Sequence, residues 1–209
     1  GTLLWESMVL ERVAAAPDEG AAYRHELALR SLVARRLVEH ADSRAARERC
    51  QPFLDRFFAL RFDDAVTFDF DDWLSPGAVP ARDAKIGRPA LHVLRGATRI
   101  WHPHGHGARP SGIVLGARAY GVALSELAAA FRRHVAKERR SNQATEHRVL
   151  TVIDAVIDRP LLLLGLSLSR EEWTIWWLLT QRARFLARRR IQPPVFVLAR
   201  RPALFLLLA

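Results

Sequence analysis

Three histidines occupy alternate positions in Ile100-Trp-His-Pro-His-Gly-His-Gly107, so His102, His104 and His106 come first as residues able to do chemistry. They follow a predicted strand, Thr98 to Trp101, and precede the turn-forming run Gly107-Ala-Arg-Pro-Ser-Gly112. In open α/β sheets, ligands bind beyond the carboxyl ends of strands. Histidine is the side chain whose ordinary pKa lets it act as acid or base near neutrality. An exposed polar loop would carry the same residues. Metal ligation is another reading, because alternate residues of an extended segment share a face and imidazole suits zinc, copper or nickel. A binuclear hydrolase would place an aspartate soon after the second histidine, where Gly107-Ala-Arg stands, and no His-Glu-x-x-His helix occurs. No metal site is therefore assigned.

Two further segments carry polar residues at predicted strand ends. Asp64-Ala-Val-Thr-Phe-Asp-Phe-Asp71 reads as a strand in which Thr67, Asp69 and Asp71 share one face and Val66, Phe68 and Phe70 the other. A half-exposed strand with a polar outer face shows the same alternation. Leu161 to Leu164 is a continuous apolar run, suited to a strand buried on both faces, and it ends at Gly165 and Ser167.

Helices must position these strands. Helical spacing predicts helices over Thr2–Ala16, Ala21–His40 and Ser43–Leu60. In the last of these, Cys50, Phe53, Leu54, Phe57 and Phe58 form a stripe expected to face the core, with Pro52 as a kink or restart. Residues 75–89 read as a loop or small excursion. Short strands follow at Leu91–Leu94, Thr98–Trp101 and within Ser111–Gly116, then helices at Leu124–Arg139 and Glu146–Asp158. Ser169 with Glu172 makes a capping box for a helix whose Trp173, Trp176 and Trp177 are expected to pack in the core. Val195–Leu198 is the last strand. The alternation predicts one α/β domain over 1–209, a Rossmann-like three-layer parallel sheet with helices on both faces.

Composition narrows the class. Half of the 209 residues are apolar, which is ample for a core and rules against wholesale disorder. The net charge of +10 is almost all arginine, Lys85 and Lys137 being the only lysines, and it is spread along the chain. Biased codon usage explains that pattern better than a nucleic-acid footprint. The clusters Arg132-Arg133, Arg139-Arg140 and Arg188-Arg189-Arg190 nevertheless keep a polyanion-binding surface among the alternatives. Basic residues at a helix end also simply complement its dipole. The single cysteine, Cys50, excludes an intramolecular disulfide and a multi-cysteine zinc site, and fits a cytoplasmic location. No apolar run reaches the length of a membrane span.

Taken in order, Thr67-Phe-Asp-Phe-Asp71, His104-Gly105 and Leu164-Gly-Leu-Ser-Leu-Ser169 resemble the sirtuin-like NAD-binding family in its divergent bacterial branch. Ile113-Val-Leu and Tyr120 resemble the pattern that follows the histidine in that branch, and Leu4-Trp5-Glu6 resembles the stretch after its glycine-rich loop. The first strand and that loop are accordingly expected to be lacking from this chain. Asp69 departs from the family, which has asparagine there; a carboxylate accepts hydrogen bonds from a ribose hydroxyl but cannot donate one.

The resemblance implies cleavage of the bond between nicotinamide and ribose, with NAD as substrate or ligand. His104 would be the general base and Asp69 would orient ribose. Thr67, Asp71, Gly105, Gly165 and Ser167 would border the nucleotide. It also implies NAD hydrolysis in anti-phage defence rather than deacylation, since the zinc ribbon of ordinary sirtuins is excluded by the single cysteine. The alternative is a catalytically degenerate module of the same fold that binds a nucleotide, a protein partner or a second copy of itself.

Overall fold

The computed structural model describes residues 2–41, 44–81, 85–140, 151–164, 172–189 and 192–198. Six α-helices and five β-strands lie among them in a mixed α/β arrangement. The chain divides into two compact units, Gly1–Gln143 and Ala144–Ala209. No helix among the described residues is long and apolar enough to cross a membrane.

In the first unit, α1 (Thr2–Ala14) packs against α2 (Glu19–Ala41) across the break at Pro17. Asp18 Oδ1 accepts the Ala21 N–H at 2.7 Å and so satisfies one of the open donors of α2. Trp5, Ala21, Leu29 and Ala34 are buried in the two helices. The next helix, α3 (Arg44–Phe58), runs unbroken through Pro52. Its expected apolar stripe is only partly buried, because Leu54 is covered while Phe53 is 64% exposed. Ion pairs hold this helix instead: Arg47 to Asp72 at 2.7 Å and Asp55 to Arg95 at 3.0 Å. The Arg95 guanidinium also lies over the Phe58 ring.

The three strands of this unit are β1 (Asp64–Val66), β2 (His92–Arg95) and β3 (Thr98–Trp101), in the order β1-β3-β2. β1 is parallel to β3, with Asp64 opposite Arg99 and Val66 opposite Trp101. β2 is antiparallel to β3, which departs from the wholly parallel sheet expected. The connection decides this: the two residues Gly96-Ala97 suffice for a hairpin, whereas a parallel crossover needs a dozen or more. Gly96 supplies the positive φ that such a tight loop requires.

β1 stops at Val66 instead of running on to Asp71. The Thr67 hydroxyl accepts the Asp69 N–H at 3.1 Å, a local turn that competes with the ladder. The strand expected within Ser111–Gly116 is also replaced, by a 3-10 turn at Pro110–Gly112 followed by extended, fully buried Ile113 and Val114. α4 then spans Gly116–Arg140, beginning earlier than the Leu124 expected. Its buried stripe is Ala119, Ala123, Leu127, Ala130 and His134. Residues of α1 close its amino terminus: the Ala117 N–H donates to Glu6 Oε1 at 2.5 Å, and Trp5 lies against Gly116.

In the second unit, α5 (Val152–Ile157) starts at Thr151, where a reciprocal capping box with Asp154 satisfies two backbone donors. β4 (Leu161–Leu164) and β5 (Val195–Leu198) pair in parallel, and α6 (Trp173–Arg189) lies between them in the chain. Among the described residues only β5 pairs with β4, and Leu162, expected to be buried, is exposed. Of the three tryptophans expected in the core, Trp173 is 67% exposed and Trp176 and Trp177 are half-buried, while Ile175, Leu178 and Leu186 are buried. Arg182 is buried with them. Its guanidinium donates to the carbonyls of Val156, of Ile157 at 2.8 Å and of Pro193 at 3.1 Å, closing the open end of α5. Gly165, Ser167 and the Ser169 side of the expected capping box lie outside the described residues.

One ion pair pins the first sheet. Asp64 accepts from Arg99 Nε at 2.9 Å, from Arg99 Nη2 at 3.2 Å and from the Trp101 indole N–H at 2.9 Å. Asp64→Ala removes the acceptor of a charged donor and of a buried indole together. It should cost about 2–4 kcal/mol in urea denaturation, against under about 1 kcal/mol for the exposed pair partner Asp55→Ala.

Candidate functional site

The histidine loop leaves β3 and is tied on both sides by its backbone. The His102 N–H donates to the Leu91 carbonyl at 3.0 Å, continuing the hairpin ladder by one residue. The Gly107 N–H donates to the Phe70 carbonyl at 2.6 Å, and the Val114 N–H to the His104 carbonyl at 2.7 Å. Thr67 continues the other strand by donating to the Trp101 carbonyl at 3.0 Å. These bonds bring Thr67, Phe68, Asp69, Phe70 and Asp71 alongside His102 to Gly107, at the carboxyl ends of two parallel strands.

Gly105 makes the turn possible. Its φ is +100°, and a Cβ there would stand 2.4 Å from the Gly112 carbonyl oxygen. Both the dihedral and the space exclude a side chain.

His104 is 8% exposed and lies edge-on between two rings, Phe68 at 5.0 Å and Tyr120 at 5.2 Å between centroids. Burial, with the nearby Arg88 charge, pulls its pKa down to about 4, while a hydrogen bond with the Phe68 backbone partly offsets them. Arg88 is itself paired with Glu126 at 3.3 Å. At neutral pH the imidazole is therefore neutral, the form a general base needs.

The carboxylates differ from one another. Asp69 is exposed at the mouth of the loop. Asp71 Oδ1 accepts the Trp73 N–H at 3.1 Å, and burial raises its pKa, helped by the charges of Asp69 and Asp72. Burial also pushes Asp72 up, but the Gly77 N–H and Arg47 outweigh it and leave that carboxyl below its usual value. Below the loop, His102 and His106 pack edge to face with centroids 4.7 Å apart. Burial and the neighbouring His106 bring His102 down to about 4, and burial also lowers His106.

The structure thus brings together Thr67, Asp69, Asp71, His104 and Gly105, while Gly165 and Ser167 lie outside the described residues. Phe68, read from the sequence as ordinary strand core, is instead a wall of the His104 site. Its alternation with Thr67 and Asp69 gave it the wrong surroundings, because the strand ends before it. Arg88 carried no sequence signal, since it sits in the aperiodic run between Ser75 and Pro89. No protein-family model, curated protein or solved structure matches the chain.

The arrangement holds a neutral imidazole with aromatic rings on two sides, which suits proton removal from a bound hydroxyl or water. Gly105→Ala should destabilise the protein by about 2–4 kcal/mol, measured by thermal or urea denaturation. Gly77→Ala, a positive-φ glycine with open space around it, should lose only about 1 kcal/mol.

Proposed function

We propose that this chain binds NAD or a related nucleotide at the histidine loop and hydrolyses the bond between nicotinamide and ribose. The observation that carries the reading is His104, kept neutral between Phe68 and Tyr120 beside the Thr67–Asp71 segment. The order of the three sequence motifs supports the choice of NAD over other hydroxyl-bearing substrates.

In this reading the fold is Rossmann-like and sirtuin-like, and the setting is the bacterial cytoplasm. Asp69 accepts a hydrogen bond from a ribose hydroxyl. Gly105 and Thr67 border the nicotinamide ribose. Water attacks C1′ of the ribose as the C1′–N bond breaks. The electron pair of that bond neutralises the pyridinium, so nicotinamide leaves uncharged, and His104 takes the proton from the water. Consumption of NAD in anti-phage defence is the biological setting that the resemblance favours.

One observation favours a second reading, a non-catalytic nucleotide- or protein-binding module. His104 is only 8% exposed, so a substrate must displace a neighbouring ring to reach it.

Nicotinamide release by the purified chain is the test. His104→Ala should lower turnover at least about a hundredfold, the usual contribution of a general base. Because His104 has a pKa of about 4, kcat/KM should stay flat from neutrality down to about pH 5 and fall below that. No release, combined with nucleotide binding seen as a thermal shift, would establish the second reading instead.

A further inference from the structure

His102 and His106 are 1% and 3% exposed, and the proposed chemistry uses neither. The Ala108 N–H donates to His106 Nδ1 at 3.1 Å. That bond uses the Nδ1 lone pair, so the ring proton of a neutral His106 stands on Nε2. Among the described residues, Nε2 of His106 has no hydrogen-bond partner of normal geometry, and neither has Nδ1 or Nε2 of His102. The two rings meet edge to face at 80°.

This tautomer also argues against the pair as metal ligands. A metal on His106 Nε2 would move the proton to Nδ1, against the Ala108 N–H. What the pair cannot do is take up a proton. A charge on either of two touching, buried imidazoles is costly, and for His102 burial and the neighbouring ring outweigh the Asp69 backbone group that favours it.

The place of the pair gives this a consequence. His102 leads out of β3, and His106 stands next to Gly107, whose N–H holds the Phe70 carbonyl. We propose that the His102–His106 pair is an acid-sensitive latch, which closes the histidine loop onto the Thr67–Asp71 segment while both rings are neutral and releases it when either takes a proton. The latch rests on its own geometry and stands whatever the loop binds.

The surrounding groups set the balance. Asp72 favours a charge on His106 but is shared with Arg47 and the Gly77 N–H. Arg109 opposes that charge, and the Asp69 backbone slightly favours a charge on His102. His104, enclosed by Phe68, Tyr120 and the Arg88 charge, is the third imidazole of the loop. The sign follows from His102 and His104, whose values of about 4 lie below the ordinary 6.5. An opened loop binds protons that the closed one refuses. The latch is therefore fully closed above pH 6.5 and weakens as pH falls from there toward about 4.

Amide hydrogen exchange, corrected for the intrinsic pH dependence of the rate, tests this on the intact chain. The Gly107, Ala108 and Val114 amides should lose protection below pH 6.5, by about tenfold per pH unit for each proton taken up. The Arg99 amide, which donates to the Asp63 carbonyl inside the sheet, should not follow them. His102→Leu should flatten the dependence by one proton, and His106→Asn, which keeps an acceptor for the Ala108 N–H, should flatten it as well. Equal loss at Arg99, or a slope that neither variant changes, would overturn the latch. The unmodified chain provides a check that needs no variant: nitrogen-15 correlation spectra of the histidine rings should show His106 protonated on Nε2 at pH 7. Protonation on Nδ1 would refute the proposal.

Discussion

The Asp64 carboxylate is the constraint on which the first unit depends. β1 is only three residues long, too short to hold its register by ladder bonds alone. Asp64 and Arg99 stand directly opposite each other in that register, and the same carboxylate takes the indole N–H of Trp101. With β1 fixed against β3, the Thr67 N–H reaches Trp101 and the Phe70 carbonyl reaches Gly107. A slip by one residue would turn Asp64 to the other face and separate the Thr67–Asp71 segment from the histidines.

Arginine has a different part in this protein than its abundance suggests. The sequence reading treats the charge of +10 as spread and unspecific. In the structure, Arg47, Arg88, Arg95 and Arg99 each pair with a carboxylate of another segment, and Arg182 closes the open carbonyls of α5. The planar fork of the guanidinium serves several acceptors in fixed geometry, which a lysine cannot reproduce. Part of the basic composition is thus structural.

Two close approaches of the backbone shape the first unit. Gly105 lets the loop lie on the Gly112 backbone, and Gly116 lets α4 begin against Trp5. Glu6 places a negative charge at the amino end of α4, where the helix dipole favours it. One turn further along α4, Tyr120 reaches His104. The helix pair at the amino terminus therefore takes part in positioning the histidine, although it carries none of the chemistry itself.

The sequence by itself determined the order and type of most elements, because helical periodicity, hairpin glycines and capping residues act over a few neighbours. It also brought Thr67, Asp69 and His104 into one argument through their motifs. Alternation did not show where β1 ends, because the local turn in which the Thr67 hydroxyl accepts the Asp69 N–H leaves the same polar and apolar pattern. Tertiary structure alone exposed Phe53 and Trp173, which helical spacing marks as apolar but cannot assign to a covered face. The neutral states of His102 and His104 and the tautomer of His106 are likewise tertiary properties. Protonation follows from burial and from which donors and acceptors surround each ring, and those neighbours come from Phe68, Arg88, Ala108 and Tyr120 rather than from the spacing of the histidines themselves.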